Sequence, residues 1–233
     1  MLCLIALSIA ARRRSDPLAD FPRTVLWAWE RPEDLRFIRP GTAGIAFLAR
    51  TVWLEPGRVT SKPRLQPLRY PPGTPLMAVV RFESRGQGLP PRADAIRELR
   101  AAAAIPDVRA LQIDFDARQS ERRWYGALLE EARGALAKAL PLTMTALASW
   151  CEQDGWIRDL PVADATPMLF RMGPGERAPT RDFAVSRCRS SVGVSMDELP
   201  ATVPGGRRLY FFDPRPWTQD SYRAAVAQAR RWQ

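Results

Sequence analysis

Eight short apolar runs divide this chain, and helical or proline-containing segments separate them. Each run has the length of a β-strand and is rich in β-branched, aliphatic or aromatic residues. Strands that alternate with helices favour a parallel sheet with right-handed crossovers, and eight strands can close a barrel. We therefore predict an α/β fold, a single (β/α)8 TIM-like barrel. The predicted strands are residues 23–30, 44–54, 76–84, 111–117, 142–150, 165–172, 188–197 and 208–213.

The segments between these runs predict the connections. Helical periodicity and start signals indicate helices at 92–104, 120–140 and 221–232, with shorter helices at 32–38 and 154–160. Residues 55–74 contain several prolines and alternate in character, so we predict extended or hairpin structure and an irregular second βα unit. An open doubly wound sheet is the alternative fold, but its first strand would need a glycine-rich loop, and WAWERPED contains no glycine.

The chain of 233 residues has the size of one large domain. We predict a leader or linker at residues 1–20 and the TIM-like barrel domain at 21–233. The apolar run 1–11 precedes three arginines and resembles the end of a signal sequence, although it is too short to span a membrane. A truncated signal would imply export to the periplasm or the cell exterior, whereas a frayed tail would leave the localisation open.

Composition removes several classes of site. The chain has no histidine, which excludes histidine-based catalytic triads and histidine-ligated metals. No CxxC spacing exists, and we predict neither a metal nor a cofactor. Cys151 and Cys188 are more simply buried free thiols than a disulfide. The net charge of +10 comes mostly from scattered arginines, which disfavours nucleic acid as a partner.

The run LQIDFDA at residues 111–117 carries the main functional signal. Alternate side chains of a strand lie on one face, so Gln112, Asp114 and Asp116 share a face. The two carboxylates would lie roughly 7 Å apart at their Cα atoms. Like charges this close raise a pKa unless a cation intervenes, and Arg81 on the preceding strand is the expected cation. A catalytic acid pair and a structural Asp–Arg network both fit this pattern.

Active sites of such barrels lie at the carboxyl ends of the strands. Several polar and aromatic residues occupy those predicted ends, although polar strand ends also occur without a function. Tryptophans there could stack on a sugar ring or simply pack. The candidate catalytic residues are Asp114, Asp116, Glu30 and Glu83, and the candidate substrate-binding residues are Arg81, Trp29, Trp150, Arg171, Asp213 and Trp217.

Five ordered segments resemble an uncharacterised bacterial family, domain of unknown function 3142. They are TVLWAWERPEDLRFI, LQIDFDA, ALASWC, PMLFRMG and FFDPRPWT, and the resemblance extends from Phe21 to Trp217. It implies a barrel of glycoside-hydrolase type and carries no established activity.

A looser resemblance is to chitinase-like glycosidases, which have D-x-D-x-E on the fourth strand and Met-x-Tyr-Asp on the sixth. Asp114 and Asp116 match the two aspartates, but Arg118 stands where the catalytic glutamate would be. Arg171 likewise replaces the final aspartate of the sixth-strand motif. The chitinase mechanism therefore cannot be transferred to this chain.

Two functions at the barrel mouth remain open from the sequence, and a basic nucleic-acid binder, which would need the arginines on one face, is the third. The first is a glycoside-hydrolase-like enzyme that acts on a glycan through acidic residues at the strand ends. The second is a non-catalytic barrel that binds a saccharide or an anionic polymer, which Arg118 and Arg171 would suit. An enzyme should have two carboxylates across an open cavity, whereas a binding barrel should have its aspartates paired with arginine. The expected partner is a saccharide or a related small polar ligand, and an anionic polymer is the alternative for the binding barrel.

Overall fold

The computed structural model describes residues 16–86, 88–173 and 181–233. Eleven strands and three α-helices occur in these residues. The strands are β1 (Thr24–Ala28), β2 (Glu33–Asp34), β3 (Gly44–Glu55), β4 (Arg58–Pro63), β5 (Leu68–Arg69), β6 (Leu76–Ser84), β7 (Val108–Asp114), β8 (Leu142–Leu147), β9 (Asp164–Met168), β10 (Ser191–Ser195) and β11 (Arg208–Phe212). The helices are α1 (Ala93–Ala103), α2 (Arg122–Ala135) and α3 (Gln219–Trp232).

Eight of the strands form a closed parallel barrel. The order around the barrel is β1-β3-β6-β7-β8-β9-β10-β11, and β1 closes it by pairing with both β3 and β11. Val25 on β1, for example, is in register with Gly44 on one side and Tyr210 on the other. The prediction of an eight-stranded parallel barrel is therefore confirmed. Since all eight strands are parallel, their carboxyl ends meet at one mouth.

The connections are less regular than the strands. The helix α1 joins β6 to β7, α2 joins β7 to β8, and α3 follows β11. Between β3 and β6 the chain forms an antiparallel hairpin with β4, as residues 55–74 predict. Short helical turns replace α-helices in the connections on either side of β9, namely a π-helix at Trp150–Asp154 and a 3-10 helix at Ser186–Cys188.

Two predicted short helices are wrong. Residues 32–38 contain β2 and turns, because the Glu33 N–H donates to the carbonyl of Pro67, just before β5, and the Leu35 N–H donates to that of Arg69 in β5. Asp154 ends the π-helix, where Gly155 adopts a left-handed conformation with φ of 60°, and turns rather than a helix follow up to residue 160. In the first segment a local helical pattern is overridden by contacts with distant residues, and in the second by the left-handed conformation of Gly155.

The helices cover the outside of the barrel with apolar stripes. Residues spaced by three or four positions lie on one face of a helix, and α1 accordingly buries Ala95, Leu99 and Ala102. The helix α3 begins at a cap in which Thr218 Oγ1 accepts a hydrogen bond from the Ser221 backbone at 3.1 Å. These helices match the predicted ranges 92–104 and 221–232, and α2 ends five residues before the predicted 140.

A second group of buried residues fills the barrel itself. Trp27, Met77 and Tyr210 pack together with Leu18 and Phe21, which precede the first strand. Leu18 is buried although it lies in the predicted linker. The rest of the predicted leader, residues 1–15, lies outside the described residues and includes Cys3.

The prediction of free thiols at Cys151 and Cys188 is wrong, because these residues form a disulfide. Their Cα atoms are 5.9 Å apart, a normal separation for such a bond. The disulfide joins the π-helix after β8 to the 3-10 helix before β10. It therefore ties together two connections that lack an α-helix.

No helix among the described residues is both long enough and apolar enough to cross a membrane.

Candidate functional site

A cavity of about 430 Å³ opens at the mouth formed by the carboxyl ends of the barrel strands. Its lining comes from the ends of β1, β6, β7, β8, β9 and β11 and from the residues that follow them. Five of the predicted site residues line it: Trp29, Arg81, Asp114, Asp116 and Arg171. The cavity is thus built from segments far apart in the sequence, which closure of the barrel brings together.

Asp114 is the last residue of β7, and its side chain is almost completely buried. Thr145 Oγ1, on the neighbouring strand β8, donates a hydrogen bond of 2.7 Å to Asp114 Oδ1. Arg81 Nη1, on β6, lies 3.7 Å from Asp114 Oδ2. Burial raises the pKa of Asp114 above its usual value, and the charge of Asp116 adds to this rise, whereas Arg81 and the Thr145 hydrogen bond oppose it.

Asp116 follows two residues after Asp114, beyond the end of β7, and is exposed at the cavity mouth. The surrounding protein displaces part of its water and thereby raises the pKa of Asp116, while Arg81 lowers it. Among the described residues, no hydrogen bond or ion pair engages this carboxylate. Asp114 is consequently fixed by neighbours, and Asp116 is open to a ligand.

Arg81 connects the acidic pair to the edge of the cavity. Its Nε donates to Glu83 Oε1 at 2.9 Å, and its guanidinium carbon lies 5.7 Å from the ring centroid of Trp29. Glu83 also accepts a hydrogen bond of 2.9 Å from Trp53 Nε1. Arg81 therefore neutralises two carboxylates, and Glu83 is held outside the cavity lining.

Aromatic side chains form one wall of the cavity. Trp29 contacts Phe212 edge-on at 6.1 Å between ring centroids, and Phe212 stacks on Phe170 at 5.9 Å. Phe170 in turn contacts Trp27 at 6.3 Å. The guanidinium carbon of Arg171 lies 5.5 Å from the centroid of Phe212. The cavity thus combines an apolar aromatic surface with two carboxylates and two guanidinium groups.

Trp27 forms the floor beneath this wall. Its indole Nε1 donates to Gln112 Oε1 at 2.9 Å inside the barrel, and its backbone carbonyl accepts from Trp217 Nε1 at 2.9 Å. Sequence reasoning missed Trp27 and Thr145 as cavity residues. Two-residue alternation was the available signal for Trp27, because it shares a strand face with the predicted site residue Trp29.

Five predicted site residues do not line the cavity, and each has another partner. Glu30 pairs with Lys62 Nζ at 2.6 Å, and the buried Asp213 accepts a hydrogen bond from the Arg215 backbone. Trp150 is buried against Trp156, and Trp217 is buried above the first strand. The fifth is Glu83. The buried indoles of Trp150 and Trp217 have no free face on which a sugar could stack.

Arg118, which the sequence offers as an anion-binding residue, also lies away from this cavity. Its Nε is 3.2 Å from Glu121 Oε1, and its Nη2 donates to Ser84 Oγ at 3.0 Å. Glu121 is itself nearly buried and accepts the Arg118 backbone N–H. Neither residue therefore replaces the missing glutamate of the chitinase pattern in the cavity.

The described residues contain no group of three or more cysteine, aspartate or glutamate side chains arranged to hold a metal ion. The chemistry available at the mouth is that of carboxylates, guanidinium groups, a threonine hydroxyl and aromatic rings.

Comparison with known proteins adds no relative. No family model matches the chain, and no curated protein or solved structure matches it. The resemblances to domain of unknown function 3142 and to chitinase-like proteins thus stay predictions.

Proposed function

We propose that this protein acts on a glycan and that the mouth cavity is its saccharide site. The observation that carries the proposal is that two carboxylates with raised pKa values, Asp114 and Asp116, line the same cavity as a row of aromatic rings. Aromatic faces suit the apolar faces of sugar rings, and a pair of carboxyl groups is what glycoside hydrolysis uses.

Within this proposal the two aspartates have different roles. Asp116 is exposed and unengaged, so it is the proton donor to the leaving oxygen. Its raised pKa keeps the carboxyl protonated at a higher pH than an ordinary aspartate. Asp114 is the second carboxylate, and Thr145 and Arg81 fix its orientation. Activity should accordingly fall as the pH rises through the pKa of Asp116.

We further infer that the fold is a divergent (β/α)8 barrel in which several helices have been reduced. All eight strands follow one another around the barrel in sequence order, and α1, α2 and α3 occupy positions at which such a barrel has helices. Membership of the family of domain of unknown function 3142 is a hypothesis that rests on the five segments alone.

A non-catalytic saccharide-binding barrel is the second candidate function. It is favoured by the approach of Arg81 to Asp114 at 3.7 Å, since a paired aspartate suits ligand holding. Among the described residues, both carboxylates that line the cavity, Asp114 and Asp116, belong to one chain segment, and the opposite wall contributes none. This arrangement also favours a binding barrel over an enzyme.

A screen of oligosaccharides for binding and hydrolysis separates these functions. It compares the wild-type protein with Asp116→Asn and Asp114→Asn, and Asp159→Asn is the control because Asp159 is exposed and does not line the cavity. We expect Asp116→Asn to lose hydrolysis by at least about a hundredfold while it still binds, because proton donation contributes roughly that much. The control should behave as wild type.

The outcomes are distinct. If the wild-type protein binds a saccharide but does not hydrolyse it, the second candidate function is correct and the enzyme proposal is wrong. If both Asp116→Asn and Asp114→Asn still hydrolyse the saccharide, neither aspartate is a catalytic residue. If no saccharide is bound or cleaved, the glycan proposal is wrong.

We also propose that the protein matures in an oxidising compartment, because structural disulfides persist mainly there. Alkylation of thiols after denaturation of the protein taken directly from its own cells tests this, since labelling of the buried Cys151 and Cys188 before reduction would contradict it.

A further inference from the structure

We propose that the sugar unit held in the cavity carries a carboxylate and that Arg171 binds this group. The inference rests on the proposed saccharide site and specifies its ligand as an acidic, uronate-type saccharide.

Arg171 is held in an unusual backbone conformation. Its φ is 50°, in the left-handed region that a residue with a side chain seldom adopts. The Arg171 N–H donates to Glu198 Oε2 at 3.0 Å, which holds this turn after β9. The guanidinium then lies over Phe212, 5.5 Å from the ring centroid. Strained conformations of this kind cluster at ligand sites, where the surrounding structure maintains them.

The charges of the cavity leave Arg171 as the available cation. Arg81 is engaged by Glu83 at 2.9 Å and by Asp114 at 3.7 Å. Across the described residues, no carboxylate lies within ion-pair distance of the Arg171 guanidinium. The nearby acids are otherwise engaged, because Glu198 binds the Arg171 backbone and Asp197 accepts a hydrogen bond from Ser195. The Ser195 hydrogen bond lowers the pKa of Asp197, and the charge of Arg171 makes a smaller contribution in the same direction.

The surface around Arg171 selects the geometry of the anion. An arginine that covers an aromatic face keeps its in-plane N–H groups free, and these match the two oxygens of a carboxylate. Phe170 and Phe212 are stacked with an angle of 13° between their rings, and both line the cavity beside the guanidinium as apolar side chains. A sugar ring packed against these side chains lies in the same cavity as Arg171, so a carboxylate on the ring can pair with the guanidinium.

The test uses matched pairs of oligosaccharides. Each pair consists of an oligouronide and its carboxyl-reduced counterpart, which has a primary alcohol in place of each carboxylate and is otherwise identical. Calorimetric titration of the wild-type protein should give about tenfold or tighter binding of the uronide, since hydrogen bonds to a charged group are worth about that factor. Sulfated oligosaccharides of the same backbone form a third arm.

Variants assign the preference to Arg171. Arg171→Gln should bind both members of a pair equally and with the affinity of the wild-type protein for the reduced member. Arg171→Lys keeps the charge without the paired donors and should show an intermediate preference. The control is Arg97→Gln on the exposed side of α1, which changes the net charge equally and should retain the full preference.

Each outcome decides the inference. Equal affinity of the wild-type protein for both members would overturn it and would leave the saccharide site standing. A preference for the sulfated compounds, or a uronide preference that persists in Arg171→Gln, would also overturn it. If no member of any pair binds, the saccharide site itself is wrong and the inference falls with it. Thermal unfolding of every variant shows that a lost preference is not lost folding.

Discussion

Trp27 reaches the centre of the barrel because the residue that faces it, Gly193, has no side chain. A Cβ atom placed on Gly193 would lie 2.5 Å from Cη2 and 2.8 Å from Cζ3 of the Trp27 ring. These distances are well below van der Waals contact. The large indole on β1 and the glycine on β10 are therefore one packing arrangement, and the position of the cavity floor depends on both.

The substitution Gly193→Ala should consequently destabilise the protein by about 1–3 kcal/mol, the usual cost of overpacking a core. It should also weaken ligand binding, because Trp27 has to move from the cavity floor and from Gln112. Thermal and denaturant unfolding measure the first effect. The matched control is Gly134→Ala in α2, where a Cβ meets nothing within 4 Å and alanine favours the helix by about 0.5–1 kcal/mol. Equal effects of the two substitutions would contradict this account of the barrel centre.

Asp164 is a buried carboxyl at the opposite end of the barrel from the cavity. It begins β9, and its Oδ2 accepts a hydrogen bond of 2.5 Å from Ser191 Oγ. Its Oδ1 has no hydrogen-bond partner among the described residues. Burial raises the pKa of Asp164 from 3.8 to about 6, although the Ser191 hydrogen bond and Arg208 oppose the rise.

This raised pKa predicts a pH-dependent contribution to stability. Between about pH 4 and pH 6 the folded protein binds the Asp164 proton and the unfolded chain releases it, so stability falls as the pH rises. The shift corresponds to about 3 kcal/mol over that interval. Asp164→Asn does not titrate, and its free energy of unfolding relative to wild type should rise by this amount between pH 4 and pH 7. Urea unfolding at several pH values measures the difference, with Asp159→Asn as the exposed control. A constant difference across the range would contradict the buried titration.

At the scale of elements, the disulfide and the short helical turns hold the connections between strands on either side of β9, where α-helices form the connections elsewhere in the barrel. The 3-10 helix that contains Cys188 follows Phe183 and Val185, which are completely buried. The Val185 N–H also donates to the Cys151 carbonyl at 3.0 Å. The covalent bond and this hydrogen bond hold the connection between β9 and β10 against the connection that follows β8.

Removal of the disulfide by Cys151→Ser together with Cys188→Ser should lower the free energy of unfolding by about 2–4 kcal/mol, because a crosslink restricts the unfolded chain. Thermal unfolding with and without reductant provides the comparison. Reductant should lower the unfolding temperature of the wild-type protein towards that of the double variant and leave the double variant unchanged. If complete reduction of the disulfide leaves the unfolding temperature of the wild-type protein unchanged, the bond does not stabilise this region.

Elements with a strong periodic pattern were predictable, and elements fixed by distant contacts were not. The strand β6 matches its predicted range of 76–84. The strand β8 ends at Leu147 instead of residue 150, and Trp150 enters a π-helix that faces the core instead of the mouth. The same limitation applies to Trp217, whose burial depends on a hydrogen bond to the first strand. Alternation along the predicted strand places Asp114 at the cavity, and Asp116 also lines the cavity although it lies beyond the end of β7.

At the scale of the whole molecule, the first and last strands make the barrel a closed sheet. The pairing of β1 with β11 joins residues more than 180 positions apart, such as Thr24 and Leu209. A closed parallel sheet has no unpaired edge, whereas an open one exposes the N–H and C=O groups of two strands. The cavity depends on the same closure, since Trp29 on one side and Phe212 on the other meet across this seam.

Two shortened chains test how far stability depends on that closure. A chain that ends at Gly206 lacks β11 and leaves β1 and β10 as open edges, so we expect it to lose cooperative unfolding and the cavity together. A chain that ends at Thr218 keeps β11 but lacks α3, and so uncovers the apolar surface that Tyr222, Ala225 and Ala229 protect. It should unfold cooperatively at a lower temperature, because the barrel remains closed and only outer burial is lost. Circular dichroism during heating distinguishes the two. If the chain ending at Gly206 unfolds as cooperatively as the longer one, the seam between β1 and β11 is not what holds the barrel together.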